Sequence, residues 1–277
     1  MKKRLITILK KIGLYTALMI GVILSTFPFY WMFIGATNPS GAIFSVPPNL
    51  LPGDHFMENF RNLNEGVGII RVMMNSLIIA LTFTFFSVMI SASAGYAFAK
   101  YKFKGRDPIF FMLLLAIMIP YHVTLIPLFQ LMADLGWLNT YRAVILPHLA
   151  YPFAIFLMRQ NMRSVPDALI EAARVDGAGE FKIFFRVILP TMRPALAAVA
   201  IFLFMFQWNN FLWPLVALGD SSMHTLPVAL SGLVGMSRID YGQIMLGTTL
   251  STLPIMIFFL LLQKQFISGI LGGSVKE

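Results

Sequence analysis

The chain has 277 residues, of which 58% are hydrophobic and only 12% charged, about half the charged share of an ordinary soluble domain. A soluble core of this length could not hide so much apolar surface, and the absence of cysteine excludes disulfides, thiolate catalysis and cysteine-held metals. The net charge of +9 would suggest nucleic acid in a soluble protein, but here the basic residues flank apolar runs, which is the pattern of membrane topology.

The start, "MKKRLITILKK", looks like the basic region of a signal peptide. The apolar run behind it is too long and no small-residue cleavage site closes it, so it reads as a retained first span. Segments long and apolar enough to cross a bilayer then fall at residues 12–37, 72–99, 109–132, 143–158, 194–218 and 241–263. The fourth is short and interrupted by Pro147 and Pro152, so it is expected to begin before Tyr141 or to dip into protein. Three polar connections stand out: the Pro- and Asn-rich residues 38–71, a basic turn at 100–107 and an elaborate loop at 159–193. No internal repeat or soluble domain is visible, so residues 1–277 read as one all-α transmembrane domain of six helices.

Six spans place both termini on one side. That side, with residues 100–107 and 159–193, carries 17 basic and 6 acidic residues. The other carries Arg61, Arg71, Arg142 and Arg238 against 6 acids. The positive-inside rule puts the basic side, both termini included, in the cytoplasm.

Within the spans, Ser91, Gly95 and Ala99 recur every four residues in "SASAGYAFA", either a stripe for close helix approach, which puts the second span inside a bundle, or ordinary small-residue filler. Pro120 and Pro127 should kink the third span. None of the six spans contains Asp, Glu, Lys or Arg, so an ion- or proton-coupled relay has no residues to run through. His122 and His148 read as packed or interfacial histidines rather than proton carriers. There is no HExxH, no GxSxG and no GxxxxGK[ST], which leaves an intramembrane hydrolase, a metal site or an ATP site on this chain without support. In "FQWNNFLWPL", Gln207, Asn209 and Asn210 are costly in hydrocarbon unless paired or wet. With Trp208 and Trp213 they suit a neutral, hydroxylated ligand on a translocation path; the alternative is an aromatic belt with the amides among the headgroups.

The loop at 159–193 contains "EAARVDGAGEFKIFFRVILP". Ser164 and Asp167 are spaced for a capping box, with Pro166 in the first turn. Asp167, Glu171 and Arg174 form a polar face, and Glu171 could pair with Arg174 or with a partner's base. Ala172 and Ala173 offer a small face with Asp176, and Gly177 can take the left-handed conformation that ends a helix. Phe181, Phe184, Phe185 and Ile188 then recur at helical spacing until Pro190, which should end or kink that helix. The loop is therefore expected to be a helix–turn–helix whose phenylalanine face lies against a partner, the membrane or the bundle itself.

These residues resemble a specific signature. Glu171–Ala172–Ala173, Gly177 four positions on, then Ile188, Leu189 and Pro190, placed between the fourth and fifth of six spans, are similar to the cytoplasmic motif of permease subunits of bacterial ABC importers. Val187 stands where that motif favours Ile. "FQWNNFLWPL" and the ending "GILGGSVKE" resemble the smaller permease of the maltose-type carbohydrate group. The resemblance implies a loop that docks on a separate ATP-binding subunit, with Glu171, Ala172, Ala173, Asp176, Gly177, Leu189 and Pro190 coupling its closure to the membrane helices. It implies a bacterial cell-membrane location, a second permease, two ATP-binding cassette subunits, an external solute-binding protein, and no cofactor or catalytic site of this chain's own. The flexible tail at Gly272, Gly273 and Ser274 could reach the ATPase pair or simply fray. The expected cargo is a sugar or oligosaccharide, with glycerol phosphate the alternative solute. The rival class is a self-contained channel or secondary transporter.

Overall fold

Hydrocarbon offers no water to backbone N–H and C=O groups, so a chain this apolar must fold as helices or as a closed barrel. A computed structural model describes residues 2–234 and 239–274, with side chains over 6–234 and 239–266. Every regular element among the described residues is helical. In chain order these are α1 (Lys2–Thr37), α2 (Phe56–Val67), α3 (Ile69–Lys100), α4 (Arg106–Ile117), α5 (Tyr121–Asp134), α6 (Tyr141–Ile145), α7 (Pro152–Met162), α8 (Asp167–Val175), α9 (Glu180–Ile183), α10 (Leu189–Thr191), α11 (Arg193–Trp208), α12 (Leu212–Ala217), α13 (Leu226–Val234) and α14 (Tyr241–Ser274).

Among the described residues three helices, α1, α3 and α14, are singly long and apolar enough to span a membrane, and counting each of three broken pairs as one span gives up to six. At 36, 32 and 34 residues the long helices run about 48–54 Å, well past the roughly 30 Å hydrocarbon core. The predicted spans at 12–37, 72–99 and 241–263 lie inside them. The other spans are not straight. α4 and α5 meet at 102°, and Pro120 stands at the break as the residue before α5. Pro127, also expected to kink, sits inside α5 without breaking it. The fourth span begins at Tyr141 after its extended Thr140 cap, not before it. It turns through a short 3-10 segment, Leu146–His148, and bends by 42° before α7 starts on Pro152. The fifth, expected to be continuous over 194–218, is broken between Trp208 and Leu212, within the Asn209–Asn210 pair.

The chain divides into two compact units, Met1–Ile69 with Leu230–Leu253, and Ile70–Ala229 with Pro254–Glu277. In the first, residues 38–71 are more than a polar connection. Asn59 of α2 is 4% exposed and donates to the carbonyls of Ala36 (2.9 Å) and Asn38 (3.1 Å), the last turn and exit of α1. Asn49 donates to the Asn38 side chain at 2.8 Å. The backbone N–H of Tyr241, where α14 begins, donates to the Ser40 hydroxyl at 2.8 Å. These asparagines tie down backbone groups that a helix end leaves unpaired.

In the second unit α3 is a substantially buried element, with 39% of its most apolar window buried. The small-residue stripe explains this. Ser91 is fully buried, and a Cβ added to Gly95 would lie 2.7 Å from Met158 Cβ and 2.8 Å from the backbone nitrogen of Arg159. α3 and α7 therefore approach to backbone contact, which only glycine permits here. Asn75 reinforces the other end of α3, donating to the carbonyls of Ser222 and His224 (both 3.0 Å) while accepting from the Tyr141 hydroxyl (2.7 Å). Gly95→Ala must push α7 outward, because the obstructing atoms include backbone. A loss of about 1–3 kcal/mol of stability is expected, read as a lower unfolding temperature in detergent, while Ser93→Ala, at an exposed position of the same helix, should leave it unchanged. Equal effects of the two would contradict the close approach.

Candidate functional site

The helix–turn–helix of residues 159–193 is present, with details that differ from the sequence expectation. α8 starts at Asp167 with Pro166 as its cap and no side-chain cap bond. The expected capping box is absent because the Ser164 hydroxyl donates backwards to the Asn161 carbonyl at 2.6 Å. Asp167 instead pairs with Lys100 at 2.7 Å. α8 ends as predicted on Gly177, at φ +75°. The N–H of Ala178 reaches the Ala173 carbonyl and the N–H of Gly177 the Arg174 carbonyl, both at 3.0 Å. That pair of bonds is the Schellman closure, which favours a glycine at its left-handed position.

The second helix departs further. Residues Phe184–Ile188 form a π turn between α9 and α10, which rotates the register away from a plain 3.6-residue repeat. The four-residue apolar face is therefore split. Phe184 (7%) and Ile188 (0%) are buried, while Phe181 (83%) and Phe185 (49%) are exposed. Ile183, outside the predicted face, is fully buried. The bend comes after Pro190, at Met192, where α11 turns off at 82°. Leu189 is half-buried and Pro190 exposed.

A clamp that sequence spacing did not reveal holds the loop against the end of α3. Beyond the Lys100–Asp167 pair, the Lys100 ammonium also donates to the Val165 carbonyl. Arg174, one of the two partners offered to Glu171, reaches across the turn to Glu180 at 2.8 Å. The Tyr101 hydroxyl donates to the same carboxylate. Ile170 (4%), Ile183 and Ile188 are buried beneath. The only signal available in sequence was the basic, tyrosine-bearing turn "KYKFKGRD", whose partners lie about 65–80 residues away. With its base fixed, the loop presents Glu171, Ala172, Asp176 and Gly177 outward, with Ala173 half-buried. Among the described residues Glu171 has no ion-pair partner, and its neighbour Val175 is 88% exposed. The surface is a small-residue ridge with one unpaired carboxylate, flanked by exposed apolar side chains.

The second predicted cluster is not one surface. Trp208 (1%) and Trp213 (0%) are both buried: Trp213 donates to the Ala143 carbonyl at 2.8 Å, and Trp208 stacks on Phe204, which stacks on Phe258. Both are core residues, neither an interfacial belt nor an open platform. Gln207 is 4% exposed, with no hydrogen-bond partner for either amide atom, and Asn210 Nδ2 is in the same condition. Asn209 is exposed and bonds back to the Met205 carbonyl at 2.9 Å. Gly272, Gly273 and Ser274 continue α14 rather than forming a flexible tail. Their side chains, and residues 275–277, lie outside the described residues.

The Arg174 guanidinium, and then the Tyr101 hydroxyl, hold the Glu180 carboxyl below its ordinary value of 4.5. Burial, and then the bond to Glu180, raises the Tyr101 hydroxyl, which stays a neutral donor. A carboxyl depressed in the folded state adds stability above its unfolded pKa and loses it as pH falls through the folded one. Hydrogen-exchange protection of the 174–180 turn, corrected for intrinsic rates, should therefore be constant above about pH 4.5 and decline below it. Glu180→Gln should lower protection at neutral pH and remove that decline; an unchanged profile would contradict the clamp.

Comparison with known proteins fits this architecture. The family model described as "Binding-protein-dependent transport system inner membrane component" matches residues 87–272, a range that holds the whole clamped loop. The lactose transport system permease protein LacG of Rhizobium radiobacter is 39% identical over 262 residues, 95% of each chain. The arabinooligosaccharides transport system permease protein AraQ of Bacillus subtilis is 38% identical over 269 residues, 96% of each. The sn-glycerol-3-phosphate transport system permease protein UgpE of Escherichia coli is 31% identical over 268 residues, 94% of this chain and 95% of that one. A crystal structure of a bacterial ABC transporter that imports the acidic polysaccharide alginate shares the fold, with a TM-score of 0.74 at 24% identity over 93% of this chain and 97% of that one. The chain belongs to the family of binding-protein-dependent transport system inner membrane components, the non-enzymatic permease subunits of bacterial ABC importers, whose ATPase is a separate subunit.

Proposed function

We propose that this chain is the permease subunit through which an ATP-driven importer admits a sugar or oligosaccharide to a bacterial cell. It works beside a second permease, two ATP-binding cassette subunits and an external solute-binding protein. Both termini and the 159–193 loop face the cytoplasm, a reading supported by the 17-to-4 basic asymmetry across the spans and the positive-inside rule. The mechanism is alternating access, in which ATP binding by the partner subunits shifts the population of inward- and outward-facing states.

The observation that carries the reading is a loop exposed at its tip and clamped at its base. Glu171, Ala172 and Gly177 face outward, and Asp167 and Glu180 are bonded to Lys100 and Tyr101 at the end of α3. A push on the ridge is delivered to α3 instead of bending a soft connection. Glu171 supplies a carboxylate for a base on the ATPase, Ala172 and Ala173 allow close packing, and Leu189 and Pro190 lead the motion into α11. The solute is a neutral saccharide in preference to glycerol phosphate, since the predicted spans contain no cation to meet a phosphate. The α14 end at Gly272–Ser274 extends toward the same side and adds to the ATPase contact.

The test is uptake and co-purification in the native host. Glu171→Ala removes a charge-assisted bond and should cut uptake about tenfold or more. Gly177→Ala forces a side chain into a left-handed position at about 1–2 kcal/mol and should do the same. In both, membrane insertion should be normal and recovery of a P-loop ATPase with the tagged chain reduced. Normal uptake in both variants would defeat the coupling role. A chain that purifies without an ATPase and moves solute alone would favour a self-contained transporter.

A further inference from the structure

Two of the three broken spans described in the second unit, α4–α5 and α6–α7, open onto one cavity of about 540 Å³, within the range of small-molecule sites. Helix breaks at membrane depth leave backbone groups unpaired and are tolerated where they line a cavity. In transport proteins, breaks of this kind form substrate sites. Pro120, at the first break, and Tyr151, at the second, are both in the wall.

The wall is a continuous run of rings. Tyr121 lies 5.8 Å from His148, His148 6.4 Å from Phe206, and Phe206 4.8 Å from Tyr151, centroid to centroid. Thr124 and Phe153 also line the cavity, and no charged residue does. Two wall residues keep a polar atom without a partner among the described residues, the Tyr121 hydroxyl and His148 Nδ1. An unsatisfied buried polar atom costs about 1–3 kcal/mol, so the wall is better satisfied with a hydroxyl-bearing occupant than without one. A lipid chain or an apolar partner helix would satisfy neither atom, and a phosphate would find no cation.

We propose that this cavity is a saccharide subsite on the present chain, in which an uncharged sugar ring lies on the Tyr151–Phe206 face and its hydroxyls bond Tyr121 and His148. The inference rests on the importer reading and adds to it that this subunit itself touches the cargo. Of "FQWNNFLWPL", read from sequence as suited to such a ligand, only Phe206 lines the cavity, and no motif joined it to the other rings, since the four come from three separate segments.

The absence of cysteine supplies the test. The complex is co-purified with its native partners, reconstituted in lipid nanodiscs and proteoliposomes, and Thr124→Cys on this chain is labelled with a small maleimide. The probes are lactose, arabinotriose, raffinose and sn-glycerol 3-phosphate. A saccharide that the complex imports should slow labelling at least several-fold, and glycerol phosphate should not. Tyr121→Phe, which removes one oxygen and nothing else, and Tyr151→Ala should each raise the KM for uptake of that saccharide by about fivefold to tenfold, with ATPase recovery unchanged. Labelling and KM unaffected while uptake proceeds would overturn the subsite and leave the importer reading standing. Thr124→Cys that is unreactive with or without sugar would show the cavity filled by another subunit, and would also overturn it. Protection by glycerol phosphate alone would refute the neutral-ligand argument. No ATPase in the purified complex would remove the importer reading and the subsite with it.

Discussion

The constraint on which the rest depends is that no backbone polar group can be left to hydrocarbon. It makes every regular element among the described residues helical, and it gives meaning to each place where a helix stops. α1, α3 and α14 obey the constraint without interruption. The third and fourth spans break at Pro120 and at Leu149–Tyr151, and the fifth turns at Met192 and stops again at Asn209–Phe211. Such breaks persist only where protein or water covers the freed groups. At the first two, the cover is a cavity walled by aromatic rings. A bundle built solely to sit in a membrane would have little reason to interrupt three of its six spans near polar or ring-bearing residues.

The second requirement is an energy source. The predicted spans hold no Asp, Glu, Lys or Arg to couple to an ion gradient, and the sequence contains no phosphate-binding loop motif. In this family the ATPase is a separate subunit, so the energy comes from outside the chain. The 159–193 loop has the mechanical properties for that entry. Its outer ridge is small and exposed, and its underside is buried through Ile170, Ile183, Phe184 and Ile188. Its two helices are cross-braced by Arg174–Glu180 and moored to Lys100 and Tyr101. Because α3 meets α7 at Gly95 with no room for a methyl group, movement of one helix is felt by the other. Tight packing of this kind transmits displacement instead of absorbing it.

Much of this was legible in the sequence, for identifiable reasons. Long apolar runs locate α1, α3 and α14, because length and hydropathy are local properties. Gly177 announced its turn, because a Schellman closure needs a residue free of the left-handed penalty. Gly95 announced a close approach for the same kind of reason. What escaped depends on distant partners. The Ser164 cap failed because a carbonyl at Asn161 was nearer. The phenylalanine face was mis-assigned because a π turn changed the period beneath it. Arg174 chose Glu180 over Glu171 because the turn at Gly177 folds the two helices together. α2 was hidden in a stretch read as loop, since its defining residue, Asn59, is a buried asparagine whose partners lie at the exit of α1. The tryptophans at 208 and 213 read as either a ligand face or an aromatic belt and proved to be core, while the rings that do line a cavity were scattered over three segments.

The central claim is that the clamped loop is the contact with the ATPase. Its most direct test is a cross-link from Ala172→Cys, the sole cysteine of an otherwise cysteine-free chain, carrying a short photoreactive group in the native membrane. The account predicts a single dominant adduct with the P-loop ATPase, whose yield changes when a non-hydrolysable ATP analogue closes the ATPase pair. Adducts only with lipid, or with other parts of this chain, would contradict it.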